Sequence, residues 1–428
     1  MPLTVTSVRA WALAACLGGF PVAIGFAQTT NAPSRAPEAA VPAPVSAAPW
    51  TDAREAWGFD HRGTLQFSAL GLSLSDRAND LIPDRWAPAV ALYATEARLD
   101  LKAAPTDWLD LGFDPRLRLT TSQFAGGGTD GATDAYLSGW LVQVRPTEDT
   151  RLAWSRQNLQ WGPSFLTSPS NPFGGDNGKN MPSVELPSMT YLKAAWMPSD
   201  GWSVSALVNV VGPRDARAPS LPDLNLPSAF DVLSARRTAG SGFEPAYALK
   251  NDFTFDRRTF SLIVSQRETD DPRIGFYGSW NASDSVILYA EGASDGQSDH
   301  ALLAGGTYTF ADGSFMAVEY YFNDRAAAAR GGILGGQSST TSVSGGFADR
   351  NYLLIQYATT ELIERTTLAA RWIVNLDQNC HRLAFQADYD LGDQASLFAN
   401  AVVDIGEASD EYGAWLRGLA TLGLNLLF

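Results

Sequence analysis

Two neighbouring segments of the sequence place charged residues at every second position, with apolar residues between them. In an extended strand, residues two apart point to the same face, so these charges would share one face. Such a face fits water or a polar solute, because unpaired charges are unfavourable in a dry core. The residues concerned are Glu96, Arg98, Asp100, Asp110, Asp114, Arg116 and Arg118.

The spacing of these charges suggests how they would pair. A turn over residues 103–106 would set Glu96 opposite Asp114, with Arg98 and Arg116 near enough to neutralise the two carboxylates. Two interpretations are open: a basic ladder that binds acidic sugars or phosphates, or a salt-bridged lining that stiffens the wall. Four further arginines fall on the same parity, namely Arg151, Arg371, Arg382 and Arg417.

A second candidate site is the segment 158–188, which is rich in proline, asparagine and aromatic residues. Prolines and stacked rings can hold such a segment in a fixed shape without regular structure. The segment either contacts a solute or acts only as a structural latch. The candidate solute contacts are the rings of Trp161, Phe165 and Phe173 and the amides of Gln157, Asn171 and Asn177.

Catalytic motifs are missing from the sequence. The three histidines, His61, His300 and His381, stand in no nucleophile or zinc motif, and no acidic cluster has the spacing of a calcium loop. We therefore expect no enzyme activity, no cofactor and no metal site. The formal net charge of −15 also argues against nucleic acid as a partner, because binding to phosphates needs a basic face.

The elements that carry these residues all have the two-residue period of β-strands. About 18 such segments follow from Gly63, and no apolar run there reaches the roughly 20 residues of a membrane-spanning helix. Charged residues at alternate positions would point into water if the strands closed into a wide barrel. The pattern predicts an all-β fold, a transmembrane antiparallel β-barrel of about 18 strands.

The predicted connections alternate in length, as expected when long surface loops lie at one end of a barrel and short periplasmic turns at the other. The short turns are expected at 103–106, 146–150, 198–201, 256–258, 281–284, 311–313 and 392–394. The long loops are expected at 76–86, 122–132, 158–188, 212–244 and 324–348.

The N-terminus has the features of a cleaved secretory signal. Arg9 supplies the positive charge, an apolar stretch follows, and small residues predict cleavage after Ala27. The alternative is acylation of Cys16, which lies in a lipoprotein-like box. The expected organisation is a signal peptide at 1–27, an Ala- and Pro-rich periplasmic tether at 28–62 and the barrel at 63–428. An even strand count would keep the N-terminus in the periplasm.

The last strand, 415–428, alternates apolar residues and ends in Phe428. It resembles the C-terminal signal of bacterial outer-membrane barrels, which the barrel-insertion machinery reads. Arg156 and Gln157 followed by Trp161 and Gly162, and later the run Glu-Tyr-Tyr-Phe-Asn at 319–323, are similar to patterns of porin-like and alginate- or polysaccharide-export barrels. Strand parity would turn Arg156 toward lipid.

This resemblance implies the outer membrane of a Gram-negative bacterium, with membrane lipid and lipopolysaccharide as partners. In general porins the third surface loop folds inward, so we expect 158–188 to narrow the pore. Homotrimers are common among such barrels, although nothing in the sequence marks an interface.

We therefore expect a channel for passive diffusion of small hydrophilic solutes, with sugars and organic acids as candidates. Two alternatives stay open: a barrel that exports or assembles an extracellular polysaccharide, and a surface adhesion or assembly protein with a closed lumen.

Overall fold

The computed structural model describes residues 57–75, 89–124, 127–173, 188–211, 245–267, 271–296, 300–324, 347, 349–407, 409–413 and 416–428. The predicted signal peptide, most of the predicted tether and Asn177 lie outside these ranges. The barrel begins slightly earlier than expected, because the first strand starts at Asp60 and takes in the last three residues assigned to the tether.

Eighteen β-strands make up the regular structure of the described residues. They are β1 (Asp60–Leu74), β2 (Ala89–Thr106), β3 (Leu109–Phe124), β4 (Thr129–Thr147), β5 (Thr150–Gln157), β6 (Met189–Ser199), β7 (Trp202–Val211), β8 (Ala246–Phe255), β9 (Arg258–Arg267), β10 (Arg273–Asn281), β11 (Val286–Ser294), β12 (His300–Thr309), β13 (Phe315–Asn323), β14 (Asn351–Ile363), β15 (Thr366–Asn375), β16 (Cys380–Gly392), β17 (Ala395–Ile405) and β18 (Leu416–Leu427). Among the described residues, no helix is long and apolar enough to cross a membrane.

Each strand pairs antiparallel with the next, and β18 pairs with β1, so the sheet closes into a barrel. The seam reaches the last residue, because Gly63 and Phe428 exchange backbone hydrogen bonds of 2.9 and 3.0 Å. Closure satisfies the edge groups that an open sheet would expose to hydrocarbon. The all-β antiparallel barrel and its strand number are confirmed.

The two faces of the strands differ as the alternation predicts. On β3, Leu117 and Leu119 are 46% and 49% exposed on the outer face, whereas the intervening Arg118 is 5% exposed on the inner face. On β5, Leu152 and Trp154 are likewise exposed on the outside. An apolar outer face around a closed barrel is the surface that lipid covers, and the protein is a transmembrane β-barrel.

An aromatic belt surrounds the end of the barrel that carries the short turns. Ring centroids lie 5.6 Å apart for Trp196 and Trp202, and 6.4 Å apart for Trp202 and Phe253. Tyr308 and Phe310 continue the belt with a spacing of 4.9 Å. Such rings lie at the boundary between hydrocarbon and headgroups.

The short turns predicted from the sequence lie at one end, and both ends of the barrel segment lie there too. One long loop is corrected. Most of 122–132 is strand, because β3 and β4 pair up to Gln123 and Thr129 and leave only residues 125–128 as the connection. The predicted turn at 103–106 is also displaced, because β2 continues to Thr106 and the chain turns at 107–108.

Candidate functional site

The segment 158–173 between β5 and β6 lies inside the barrel. The backbone N–H groups of Phe165 and Leu166 donate hydrogen bonds of 2.6 and 2.7 Å to the Glu319 carboxylate on β13. Strands β5 and β13 are at least eight strands apart around the barrel, and Glu319 is on the inner face. We call residues 158–173 the inward segment.

Glu319 is one of two buried carboxylates that hold the inward segment. Its side chain is 0% exposed, and the Tyr289 hydroxyl on β11 donates a third hydrogen bond of 2.6 Å to it. Charge-assisted hydrogen bonds are stronger than neutral ones, particularly away from water. Three donors therefore compensate the burial of this charge.

The second anchor is Glu291 on β11, which is also 0% exposed. It accepts hydrogen bonds from the hydroxyls of Ser164 at 2.9 Å and Ser170 at 2.7 Å, from the Ser170 N–H at 3.2 Å, and from the Ser168 hydroxyl. Gly162 passes so close that a Cβ there would lie 2.2 Å from a Glu291 oxygen. The spacing of serines and glycine thus fits one carboxylate.

Apolar packing fixes the two ends of the inward segment against β6 to β9. The rings of Trp161 and Phe173 meet edge to face at 5.6 Å, and Phe173 meets Tyr191 of β6 at 4.9 Å. Leu207 and Ile263 belong to the same buried cluster. These contacts bury Trp161 and Phe173, two of the three rings that the sequence offered as solute contacts.

Asn171 is also used within the inward segment. Its amide donates to the Leu159 carbonyl at 2.6 Å and accepts from the Phe173 N–H at 3.1 Å. Trp161 is 8% exposed and Asn171 is 4% exposed. Their burial favours the latch interpretation for these two residues. Phe165 stacks on Phe315 of β13 at 5.8 Å, and Gln157 donates to Ser155 at 3.2 Å.

The predicted charged wall lies on the inner face of β2 and β3, in a different register from the one expected. Glu96 faces Arg118 instead of Asp114, and Arg98 faces Arg116, because the turn lies further along the chain. The Glu96 carboxylate binds Arg98 at 2.8 Å and Arg118 at 2.6 Å. The observed register therefore replaces a pair of like charges by an ion pair.

Other predicted charges are paired along the same wall. Arg116 lies 2.8 Å from Asp100, and Asp110 binds Arg145 at 2.5 Å. Arg145 was not among the predicted residues. Asp114 lies beside Gly139, where a Cβ would be 2.4 Å from its carboxylate oxygen. Arg151 is partly exposed on the inner face of β5, and its Nε has no hydrogen-bond partner.

Arg371 and Arg382 extend the wall on β15 and β16. The Arg382 guanidinium makes two hydrogen bonds of 2.7 Å to Asp404, and it lies 4.8 Å from the Tyr412 ring. Arg371 donates to Gln356 at 2.6 Å. Burial of the Tyr412 phenol, next to Glu411, raises its pKa well above the usual value, and Arg382 opposes that shift.

Sequence reasoning missed the residues that anchor the inward segment. Glu291 received no role, and Glu319 entered only as part of the resemblance at 319–323. One signal was available: residues 157–173 contain no ionisable side chain, although three serines occur within seven residues there. The other part of the signal was Glu291, a single carboxylate at an inward position of an otherwise uncharged strand, which the serine hydroxyls could bind.

Among the described residues, no group of three or more His, Cys, Asp or Glu side chains is placed to hold a metal ion. The inner wall instead offers guanidinium, carboxylate and amide groups. These groups can bind ions and hydroxyl-bearing solutes reversibly.

No known family model matches the chain, and no curated protein matches it. Solved structures similar to it include two variants of a Rhodopseudomonas blastica porin. Each is 12% identical, with a TM-score of 0.43, and the match covers 86% of this chain and 100% of the porin. A structure on the asymmetric conductivity of engineered proteins has 12% identity, the same coverage and a TM-score of 0.41. The barrel assignment rests on the strand pairing and outer surface of this chain itself.

Proposed function

We propose that this protein is a porin-like channel of a Gram-negative outer membrane, through which small hydrophilic solutes diffuse passively. One observation carries the proposal: a segment without ionisable side chains lies inside an 18-stranded barrel and is held there by Glu291 and Glu319. Barrels of this width enclose an aqueous lumen, and an inward segment would narrow it.

The solute class follows from the charges that face the lumen. The inward segment is neutral and hides the two glutamates, whereas the inner face of β2, β3, β15 and β16 carries arginines and carboxylates in similar number. A lining with both signs of charge can bind small ions and hydroxyl-bearing solutes, so sugars and organic acids are the candidate solutes. The arginines are Arg98, Arg116, Arg118, Arg371 and Arg382; the carboxylates are Glu96, Asp100, Asp110, Asp114, Asp388 and Asp390.

Orientation and partners belong to the same proposal. Both ends of the barrel segment lie at the short-turn end, which we assign to the periplasm, so that the N-terminal tether would be periplasmic. Phe428, which is 73% exposed, is the residue we assign to recognition by the insertion machinery.

The test is ion conductance of the purified, folded protein in a planar bilayer. The double variant Arg116→Ala, Arg118→Ala leaves Glu96 and Asp100 with fewer cations, so the reversal potential in a salt gradient should shift toward cation selectivity. The control Arg257→Ala, Arg258→Ala removes the same charge at the short-turn end and should leave the reversal potential unchanged. Folded protein without conductance would contradict the proposal.

Export of an acidic polysaccharide is the second candidate, and the arginines on the inner faces of β15, β16, β2 and β3 favour it. An exporter would conduct only after the inward segment is released, and loss of the gene would abolish the extracellular polymer. A passive channel conducts with the segment in place.

A further inference from the structure

Arg156 of β5 faces outward. Along β5 the outer face carries Leu152, Trp154 and then Arg156, which pairs across the sheet with Trp140 of β4. Arg156 is one residue from the end of β5, on the side away from the short turns.

Arg156 has no anionic partner within the described residues. Its Nε is buried without a hydrogen-bond acceptor, and no carboxylate forms an ion pair with it. A lipid-facing guanidinium is costly unless an anion or water meets it. The arrangement thus calls for a negative group from outside this chain.

An apolar groove adjoins this arginine on the same outer face. It is lined by the rings of Trp140 and Trp154, which meet edge to face at 4.6 Å, and it continues over Phe113 and Leu101 toward Phe59. The groove therefore runs from the guanidinium toward the short-turn end. Its apolar walls fit an acyl chain.

A second copy of this chain is a poor source of the missing anion. Wherever the structure describes their side chains, the Asp and Glu residues of the strands follow the inward parity, as Glu96, Glu291 and Glu319 do. The outer face of another copy would bring tryptophan and leucine to Arg156, but no carboxylate from its described strands.

We propose that Arg156 and the groove beside Trp140 and Trp154 form a binding site for a phosphate-bearing lipid. The guanidinium donates hydrogen bonds to the phosphate, and one acyl chain occupies the groove. Arginine suits this task because its planar fork matches phosphate oxygens. The site depends on the lipid-facing surface and not on channel activity.

Native mass spectrometry can measure lipid retention, with bisphosphorylated lipid A and its dephosphorylated form as probes. The wild-type protein should retain lipid A about tenfold better than the dephosphorylated form. Arg156→Gln should abolish that preference, and Trp154→Ala should weaken retention of both forms. Arg258→Gln is the matched control, since Arg258 also faces outward but already lies 5.4 Å from the Trp280 ring at the short-turn end.

Heat-dependent mobility on gels identifies variants that are folded. Equal retention of both probes by folded wild-type protein would overturn the proposal. A folded Arg156→Gln variant that keeps the preference for lipid A would also overturn it. The proposal would fail as well if the only effect of Arg156→Gln were to dissociate an oligomer of this chain. Arg258→Gln should behave as the wild-type protein does, and a loss of preference there would remove the specificity assigned to Arg156.

Discussion

Gly162 shows how a single residue fits the inward segment to its anchor. Its φ is +78°, in the left-handed region, and a Cβ would lie 2.2 Å from the Glu291 carboxylate. Gly313 has nearly the same φ, +82°, but nothing lies within 4 Å of the position its Cβ would take. A comparison of substitutions at these two glycines therefore separates the cost of backbone strain from the cost of steric overlap.

We predict that Gly162→Ala destabilises the barrel more than Gly313→Ala. Both variants carry about 1 kcal/mol of backbone strain, but only Gly162→Ala also forces the serine hydroxyls away from Glu291. The thermal unfolding midpoint measures the loss of stability, and the conductance noise measures the loosening of the inward segment from Glu291. Equal midpoints and unchanged noise for both variants would show that Gly162 is not in close contact with Glu291.

At the same scale, the sequence predicted which face each charged residue occupies but not which residue it binds. Parity placed Glu96, Arg98 and Arg118 correctly on the inner face, because parity is local. The pairing of Glu96 with Arg118 depends on where β2 ends, and a turn displaced by a few residues changes every cross-strand partner. The role of Glu291 depends on a contact with residues more than a hundred positions away.

The inward segment is the element whose position depends most on two side chains. Phe165 and Tyr289 donate to one oxygen of Glu319, and Leu166 donates to the other. In a carboxamide, an NH2 donor replaces one of the two acceptor oxygens. This NH2 group would face an N–H or O–H donor and could not accept its hydrogen bond. Loss of a charge-assisted bond of this kind costs about 2 kcal/mol.

Glu319→Gln should therefore loosen the inward segment, with larger and noisier single-channel conductance and a lower thermal midpoint. Glu364→Gln, in the exposed turn between β14 and β15, makes the same chemical change away from the lumen and should leave both values unaltered. If Glu319→Gln matches the wild-type protein in both measurements, the carboxylate does not hold the segment.

At the element scale, the composition of 158–188 indicated a fixed shape, and inward folding came from the resemblance to porins. The assignment of Trp161 and Asn171 to solute contact could not be tested from the sequence, since burial on the wall depends on Tyr191, Leu207 and Ile263. These residues come from three different strands.

For the whole molecule, period-two alternation was sufficient to predict the closed barrel. Each strand has one face for lipid and one for the interior, so the pattern is present in every segment and errors in one turn do not change the fold. The contact between the inward segment and β13 was not predictable from any local pattern. It is also the feature on which the proposed function depends.

A cross-link between the inward segment and the wall tests that contact most directly. A Cβ at Gly275 of β10 would lie 3.4 Å from the Ser170 Cβ, close to the roughly 3.5–4.5 Å of a disulfide. The matched control moves the second cysteine to Ile274, which is 57% exposed on the outer face. Cys380 is buried and common to both variants.

Mass spectrometry of the oxidised, folded protein should find an intramolecular disulfide in Ser170→Cys, Gly275→Cys and none in Ser170→Cys, Ile274→Cys. The cross-linked protein should still conduct, because the segment is already held in that position. Free thiols in the first variant after oxidation, or efficient cross-linking in the second, would contradict an inward segment fixed on the barrel wall.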